Sequence, residues 1–348
     1  MGRFRMLSID GGGIRGLIPA MILDKLESAT GKSVPELFDV VAGTSTGGIL
    51  ALALTLRDEQ HPDRPKFRAA DIVKLYKEQG SKIFAKPRFW ATIDSVVGRL
   101  PGVRDVGHAL GFPRDEDLHD LFSPKYGEEG RADVLRDHFG NTLLKDALTR
   151  VFITSYETEQ RIPVFFVSRS SDEADEEYGE AVCGDVSMVD AALATSAAPT
   201  YFPPHQVPTP RRTYSLVDGG VFANNPTGLA RAFMRDASCD SDLVVSLGTG
   251  SMQDAYPFEE IKKWGAIHWA SPVLKMMFDG QTESVALAVR RTVRDGYFRV
   301  QGLLGKGHVS DDMDDVTPEN IERMEDLARS LIDSSDFRDV VRSVSPGT

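Results

Sequence analysis

One pentapeptide, Gly43-Thr44-Ser45-Thr46-Gly47, constrains the fold of this chain more than any other stretch. The preceding residues 38–42 have the length and β-branched content of a short buried strand, and residues 48–54 indicate a buried helix. A serine in so sharp a turn between strand and helix matches a nucleophile elbow, with the flanking glycines leaving room where side chains would collide. The amides at the helix N-terminus favour negative charge beside the serine.

The chain before this turn predicts a parallel sheet. Residues 4–10 alternate enough to form a first strand, which runs into the loop Gly11-Gly12-Gly13-Ile14-Arg15-Gly16. Residues 17–28 then carry apolar side chains on one face, as expected of an amphipathic helix packed on a sheet. A strand, helix, strand, helix order favours an α/β fold whose parallel sheet is covered on both faces.

The glycine loop fits more than one function. Its Gly11-x-Gly13-x-x-Gly16 spacing matches the dinucleotide fingerprint, but Asp39 opens the second strand, whereas a ribose-binding acid belongs at the carboxyl end. A P-loop is excluded, because Leu17 and Ile18 stand where Lys and Ser/Thr are needed. The remaining use is an oxyanion hole built from glycine amides beside Ser45. Arg15 either adds positive charge near an oxyanion or phosphate, or forms a surface ion pair.

Asp218 is the candidate acid. Residues 214–218 predict a strand that ends in this aspartate on a turn formed by Gly219 and Gly220. We expect Asp218 at the carboxyl edge of the sheet, where open α/β folds bind their ligands.

A serine nucleophile needs a base, and two arrangements are open. A Ser, acid, His triad would have to use His268, predicted on a helix facing its core, or His308, in a glycine-bounded loop. In the alternative dyad, Asp218 takes the serine proton directly. A carboxylate with a reference pKa of about 3.9 is a poor base at neutral pH, so the dyad predicts a desolvated Asp218 with a raised pKa.

Composition limits the class of protein. The formal net charge of −12 and pI near 5.1 argue against nucleic-acid partners and against capture by anionic membranes. The chain begins almost at once with a strand, and its apolar runs are too short for a membrane span, so we expect a cytoplasmic protein.

Residues 131–148 have apolar side chains at a spacing that predicts a helix.

Several blocks resemble the patatin-like phospholipases. The glycine loop, the pentapeptide around Ser45 and Asp218-Gly219-Gly220 look like the three signature motifs of that family. Other segments are similar to plant patatins: residues 196–205, Leu247-Gly248-Thr249-Gly250, Ile267-His268-Trp269, Arg299-Val300-Gln301 and Met313-Asp314-Asp315. The resemblance runs nearly end to end. It implies one domain over residues 1–348 with a three-layer α/β/α fold and a mainly parallel central sheet, a mostly helical insertion or lid at 57–150, and a C-terminal helix at 317–335.

The resemblance also implies a chemistry. Ser45 would be the nucleophile, Asp218 the base, and the loop at Gly11, Gly12, Gly13 and Arg15 the oxyanion hole, with no cofactor, metal or histidine base. The implied substrates are phospholipids, galactolipids and simple acyl esters, with transient contact to a membrane surface.

Two departures from the family limit the comparison. We expect no secretory leader of the kind that the storage proteins carry, and Asn224-Asn225-Pro226 is more similar to microbial and animal branches. The alternatives are a triad esterase or thioesterase and a non-catalytic dinucleotide- or lipid-binding protein.

Overall fold

The described residues form a central sheet of nine strands with helices on both faces, and this sheet is mainly parallel, as the sequence predicts. The computed structural model describes residues 3–83, 129–168, 180–183, 185–210, 212–235, 238–239, 241–252, 255–304 and 309–345. Its strands are β1 Arg3–Ile9, β2 Val40–Thr44, β3 Arg150–Glu157, β4 Ile162–Val167, β5 Glu180–Cys183, β6 His205–Pro208, β7 Thr213–Asp218, β8 Ser241–Leu247, β9 Ser251–Met252, β10 Tyr297–Val300 and β11 Leu303–Leu304.

The helices follow the strands in the order that an α/β fold requires. They are α1 Leu17–Thr30, α2 Val34–Leu37, α3 Thr46–Thr55, α4 Ala69–Ile83, α5 Glu129–Phe139, α6 Met188–Thr195, α7 Gly220–Ala223, α8 Thr227–Met234, α9 Phe258–Ile261, α10 Ala266–Val293, α11 Pro318–Ile332 and α12 Ser335–Val344. Within these described ranges, no helix combines the length and apolarity that crossing a membrane requires.

The sheet separates two apolar layers because side chains alternate across each strand. Leu7 and Ile9 of β1 point into a core shared with α1, α3 and α6. Phe4 and Met6 of the same strand point into a second core, which includes Ala230 of α8. The two cores on opposite faces of one sheet make the three-layer architecture.

The strand order is β10-β8-β1-β2-β3-β4-β5, and the five strands from β10 to β3 are parallel. β4 and β7 both pair with β3 in the antiparallel sense. Asp218 therefore reaches the ligand edge in a different way from the one predicted, which assumed that its strand runs parallel to the others. β7 enters the sheet from beyond the carboxyl end of β3, so its last residue, Asp218, lies opposite Ser155 within the edge.

The predicted helix at residues 131–148 is too long. α5 ends at Phe139 because Gly140 adopts a left-handed conformation with φ 56°, and its amide caps the helix on the Arg136 carbonyl. A single 3₁₀ turn, Leu144–Asp146, follows. Of the expected insertion at 57–150, residues 84–128 lie outside the described residues.

A buried ion pair joins Asp10, the residue that follows β1, to Arg299 of β10. Arg299 in β10 donates through Nη2 to the Asp10 carboxylate at 2.5 Å, and the two side chains are 5% and 1% exposed. Arg299 also donates to the Ser246 hydroxyl at 2.8 Å. Asp10 immediately precedes the glycine loop, so the pair fixes the strand end from which that loop leaves.

Arg299→Ala should lower the free energy of unfolding by about 3–5 kcal/mol, because it leaves the Asp10 carboxylate buried without its cation. Arg329→Ala is the matched control, since its exposed side chain pairs with Asp326 and with Glu325, which keeps Lys77 as a partner, and its loss should cost less than about 1 kcal/mol. Urea denaturation of both variants measures the difference. Equal losses in the two variants would contradict the role assigned to Arg299.

Candidate active site

Ser45 occupies the turn between β2 and α3 in a strained backbone conformation. Its φ of 55° and ψ of −125° are unusual for a residue with a side chain, and such conformations cost about 1–3 kcal/mol unless the surroundings impose them. This conformation turns Ser45 away from the hydrogen-bonding ladder of β2 and places it at the N-terminus of α3. The structure therefore has the strand, turn and helix expected of a nucleophile elbow.

The flanking glycines are required by the closeness of neighbouring backbone. A Cβ on Gly43 would lie 2.1 Å from the Gly47 carbonyl oxygen, and a Cβ on Gly47 would lie 2.2 Å from the Ile9 carbonyl oxygen. Real Cβ atoms do not approach backbone this closely, so both positions admit only glycine. The turn carrying Ser45 is thereby packed directly on the end of β1.

Thr195 fixes the turn from the other side. The Ser45 amide donates to the Thr195 hydroxyl at 2.9 Å, and that hydroxyl donates to the Thr154 carbonyl at 2.7 Å. Thr195 thus connects the strained turn to β3 through α6. The sequence around Thr195 does not indicate this role, because the two partners lie 150 and 41 positions away in the chain.

Asp218 is buried beside Ser45. Its side chain is 2% exposed, and burial raises its pKa from 3.8 to about 6. The Gly220 amide, which donates to the carboxylate at 2.7 Å, the nearby Ser45 side chain and the positive charge of Arg131 oppose that shift. The burial of Asp218 agrees with the expectation that this carboxyl is desolvated.

The two glycines after Asp218 have separate structural functions. A Cβ on Gly219 would lie 2.1 Å from the Thr154 hydroxyl, so this position allows the chain to pass close to β3. The Gly220 amide donates to the Asp218 carboxylate. Together they fix the rotamer of the acid.

Arg131 is a buried cation near Asp218 that the sequence analysis did not single out. Its guanidinium donates to the carbonyl and the hydroxyl of Ser196 and lies 4.0 Å from the centre of the Phe202 ring. A cation in this position favours the ionised form of Asp218. Burial outweighs it, since the net effect on the Asp218 pKa is a rise.

The glycine loop is held by three separate segments. The Gly11 amide donates to the Asn224 carbonyl at 3.0 Å, and the Gly11 carbonyl accepts from the Thr249 hydroxyl at 2.6 Å. Past Gly13, the Ile14 amide donates to the Met313 carbonyl at 2.8 Å. Gly11 was predicted among the oxyanion donors, but its amide already has an acceptor, so this residue is an anchor of the loop.

The amides of Gly12 and Gly13 have a different environment. Both residues line the same cavity as Ser45 and Asp218, and no acceptor for their amides is found within the described ranges. A Cβ on Gly12 would lie 2.3 Å from the Thr249 hydroxyl, and Gly13 has a φ of +60°. These are the two loop amides that remain available to a ligand oxygen.

The side chain of Arg15 stabilises the glycine loop. Its Nε donates to the Gly12 carbonyl at 3.2 Å, and the residue is 9% exposed. Burial lowers the pKa of its guanidinium, which Asp279 and Asp311 partly counteract. Arg15 is not one of the residues that line the cavity, so its contact with the site passes through Gly12. The surface ion pair considered from the sequence is therefore wrong.

A cavity that is partly open to solvent begins at Ser45. Ser45, Asp218, Gly12 and Gly13 lie at one end, and apolar side chains from α3, α4 and α5 line most of the rest. Binding sites for organic ligands have this character, with a few convergent polar groups in an apolar pocket.

Of the two histidines considered for a triad, only His268 lies within the described residues, and it is not part of this group. His268 is exposed on α10, although the sequence predicted that it faces a core, and His308 lies outside the described residues. Asp39, the acid considered for dinucleotide binding, precedes β2 and accepts a hydrogen bond from the Arg5 amide at 2.8 Å. It is therefore at the opposite end of β2 from Ser45. Within the described part of the chain, no group of three or more His, Cys, Asp or Glu side chains could hold a metal ion.

Comparison with known proteins gives a consistent family. A family model described as patatin-like phospholipase matches residues 7–231. Patatin-like protein 4 of Arabidopsis thaliana is 31% identical over 373 residues, which cover 96% of this chain and 84% of that protein. The protein named probable inactive patatin-3-Kuras 1, of Solanum tuberosum, is 32% identical over 299 residues, covering 78% and 70%. The crystal structure of VipD from Legionella pneumophila matches with a TM-score of 0.35 and 14% identity, covering 95% and 67%.

The raised pKa of Asp218 has a consequence for stability. Ionising this carboxyl is harder in the folded chain than in the unfolded chain, so its contribution to stability is present below pH 3.8 and is lost as the pH rises through about 6. Asp218→Asn cannot ionise. It should therefore unfold with about 2–3 kcal/mol more free energy than the wild type at pH 8, and with little difference at pH 4.

Denaturant titrations at the two pH values measure this difference. Asp326→Asn, on the exposed side of α11, is the control and should show no comparable gain at pH 8. A gain of the same size for Asp218→Asn at both pH values would contradict the assignment of a desolvated carboxyl.

Proposed function

The chain belongs to the patatin-like phospholipase family, and on that premise we propose that it is a serine hydrolase that cleaves acyl esters of phospholipids or related lipids. Family membership supports lipid acyl hydrolysis in general, but one relative is named as probably inactive, so the chemistry has to be argued from the site. The observation that carries the proposal is the position of Ser45 in the same cavity as Asp218, a buried carboxyl whose pKa burial raises to about 6.

In the first step, the Ser45 hydroxyl attacks the ester carbonyl carbon and transfers its proton to the Asp218 carboxylate. A carboxylate of pKa about 6 is ionised at neutral pH and is a stronger base than an exposed aspartate. Because Ser45 and Asp218 line the same cavity and Ser45 is close enough to affect the pKa of Asp218, we propose a proton transfer with no imidazole between them.

The carbonyl oxygen becomes negative as the tetrahedral intermediate forms. The amides of Gly12 and Gly13 are donors without protein acceptors in the described structure, and they lie on the same cavity wall as Ser45. Preorganised amides of this kind stabilise an oxyanion more than the ground-state carbonyl. Asn224, Thr249 and Met313 hold the loop so that these amides do not have to be ordered during the reaction.

The intermediate then collapses to an acyl-enzyme on Ser45. Protonated Asp218 donates its proton to the leaving alcohol, which departs as a lysolipid or a simple alcohol. Water attacks the acyl-enzyme in the second half-reaction, with Asp218 again as the base, and the fatty acid is released.

Substitution of the two groups separates the dyad from a triad. Ser45→Ala should remove hydrolysis of a chromogenic ester and all labelling by a fluorophosphonate probe, because the nucleophilic oxygen is lost. Asp218→Asn should lower kcat/KM by about 10²–10⁴-fold, the usual effect of a general base.

His268→Ala is the matched control and should leave kcat/KM unchanged, since this residue is exposed on α10. A loss for His268→Ala as large as that for Asp218→Asn would favour the triad esterase. Absence of probe labelling in the wild type, together with tight binding of a dinucleotide, would favour the binding protein.

The pH dependence of the reaction follows from the same carboxyl. Asp218 acts in its ionised form, so kcat/KM should be constant above pH about 7 and fall about tenfold per pH unit below about 6. Initial rates on a non-ionising ester across pH 4–9 measure this profile. Activity that stays constant down to pH 4 would show that no group with the raised pKa of Asp218 acts as the base.

A further inference from the structure

The end of α6 holds the nucleophile and the acid of the site through residues that are close neighbours in the chain. The Thr195 hydroxyl accepts from the Ser45 amide at 2.9 Å. Two residues later, the Ala197 carbonyl accepts from the Asp218 amide at 3.0 Å. Both bonds are made to the backbone of a reacting residue, so this segment fixes the serine and the carboxyl relative to each other.

The residue between these two, Ser196, binds a buried cation. Its carbonyl and its hydroxyl accept from Nη1 of Arg131, the hydroxyl at 3.2 Å, and the same hydroxyl donates to the Ala192 carbonyl at 2.6 Å. The Arg131 guanidinium also lies 4.0 Å from the centre of the Phe202 ring. A planar guanidinium that is held by two acceptors and an aromatic face has a defined position.

The burial of this charge is costly. Arg131 is 2% exposed, and arginine is seldom buried to this extent because its charge loses hydration. The two oxygens of Ser196 do not need a charged partner, since a neutral donor could satisfy them. The positive charge therefore needs a function beyond these hydrogen bonds.

The nearby group on which this charge acts is the candidate base. Arg131, Asp218 and Ser45 line the same cavity. The positive charge of Arg131 lowers the pKa of Asp218, against the larger and opposite effect of burial. Arg131 therefore favours the carboxylate over the protonated acid.

The strands on either side of β7 bring no comparable charge to this carboxyl within the described residues. Ser155 of β3 lies opposite Asp218 and is neutral. β6 brings His205, but this residue lies opposite Leu216 and is hydrogen-bonded to Asp190 at 3.0 Å. The cation on α5 is thus the charged group that acts on the acid in this part of the structure.

We propose that Arg131 is a positioning residue, which holds Asp218 in the ionised form that accepts the Ser45 proton. The inference rests on the proposed ester hydrolysis, in which Asp218 is the base. Burial makes this carboxylate a stronger base but lowers the fraction that is ionised at a given pH. Arg131 restores part of that fraction without admitting water to the site.

The first experiment compares the pH profiles of kcat/KM for the wild type and two variants on a non-ionising ester. Arg131→Gln keeps a donor for Ser196 and removes the charge. The midpoint of its acidic limb should rise by about one pH unit, so its loss relative to the wild type should be about tenfold larger at pH 5 than at pH 9. Arg131→Lys keeps the charge and should move the midpoint less than half as far.

Arg136→Gln is the matched control. Arg136 is exposed on the same helix and pairs with Asp133, so the same chemical change at this position should leave the midpoint in place. A purely structural role of Arg131 would lower kcat/KM by the same factor at every pH. That result for Arg131→Gln, with an unchanged midpoint, would overturn the proposal.

A stability measurement tests the interaction without the reaction. Asp218→Asn removes the carboxylate, so at pH 8 it should raise the urea midpoint by more in Arg131→Gln than in the wild type. If Arg131→Gln is unfolded at pH 8, the double variant should fold there, because the carboxylate without its cation is gone. An equal effect of Asp218→Asn in both backgrounds, or a double variant as unstable as Arg131→Gln, would overturn the proposal.

Together the two measurements separate this inference from the proposed function. If the wild type cleaves no ester but shows the coupling in stability, the reaction and the role of Arg131 in it are both wrong, and only the electrostatic contact stands. If the wild type cleaves esters while Arg131→Gln shows neither the shift nor the coupling, the reaction stands and the role of Arg131 is wrong.

Discussion

The close approach of the Ser45 turn to the end of β1 is the contact on which the site depends. Gly47 lies against the carbonyls of Ile9 and Asp10, where a side chain could not fit. Because β1 continues directly into the glycine loop, this one contact sets the distance between the serine hydroxyl and the loop amides. The strain at Ser45 and the anchoring of Gly11 both follow from keeping two backbone segments this close.

The basicity of Asp218 depends on the direction of β7. A carboxylate on a loop beyond the sheet edge would be solvated, and its pKa would stay near the ordinary value. β7 instead runs antiparallel to β3 and brings Asp218 back into the edge, opposite Ser155, where it is almost fully buried. The same burial that makes Asp218 a stronger base also lowers the stability of the folded chain when this carboxyl is ionised. The positive charge of Arg131 reduces that loss of stability.

Local sequence was sufficient wherever glycine spacing or strand periodicity decides the structure. The strand, turn and helix around Ser45, the glycine loop and the strand ending at Asp218 are all predictable, because each is determined by residues within a few positions. The predicted end of the helix at 131–148 was wrong, because the apolar periodicity of this stretch does not mark Gly140 as the residue that ends α5. The direction of β7 was wrong because strand pairing is a long-range property that periodicity does not encode.

The roles of the residues that position the site could not be predicted, for the same reason. Thr195, Asn224 and Arg299 are distant in sequence from the groups they hold, and their contacts arise only when the sheet has assembled. The family model covers residues 7–231, whereas Thr249, Arg299 and Met313 come from the chain after it. The sheet half formed by β8 and β10 therefore does more than complete the fold. It supplies anchors for the loop amides, so the preorganisation of the site depends on strands that carry none of its reacting groups.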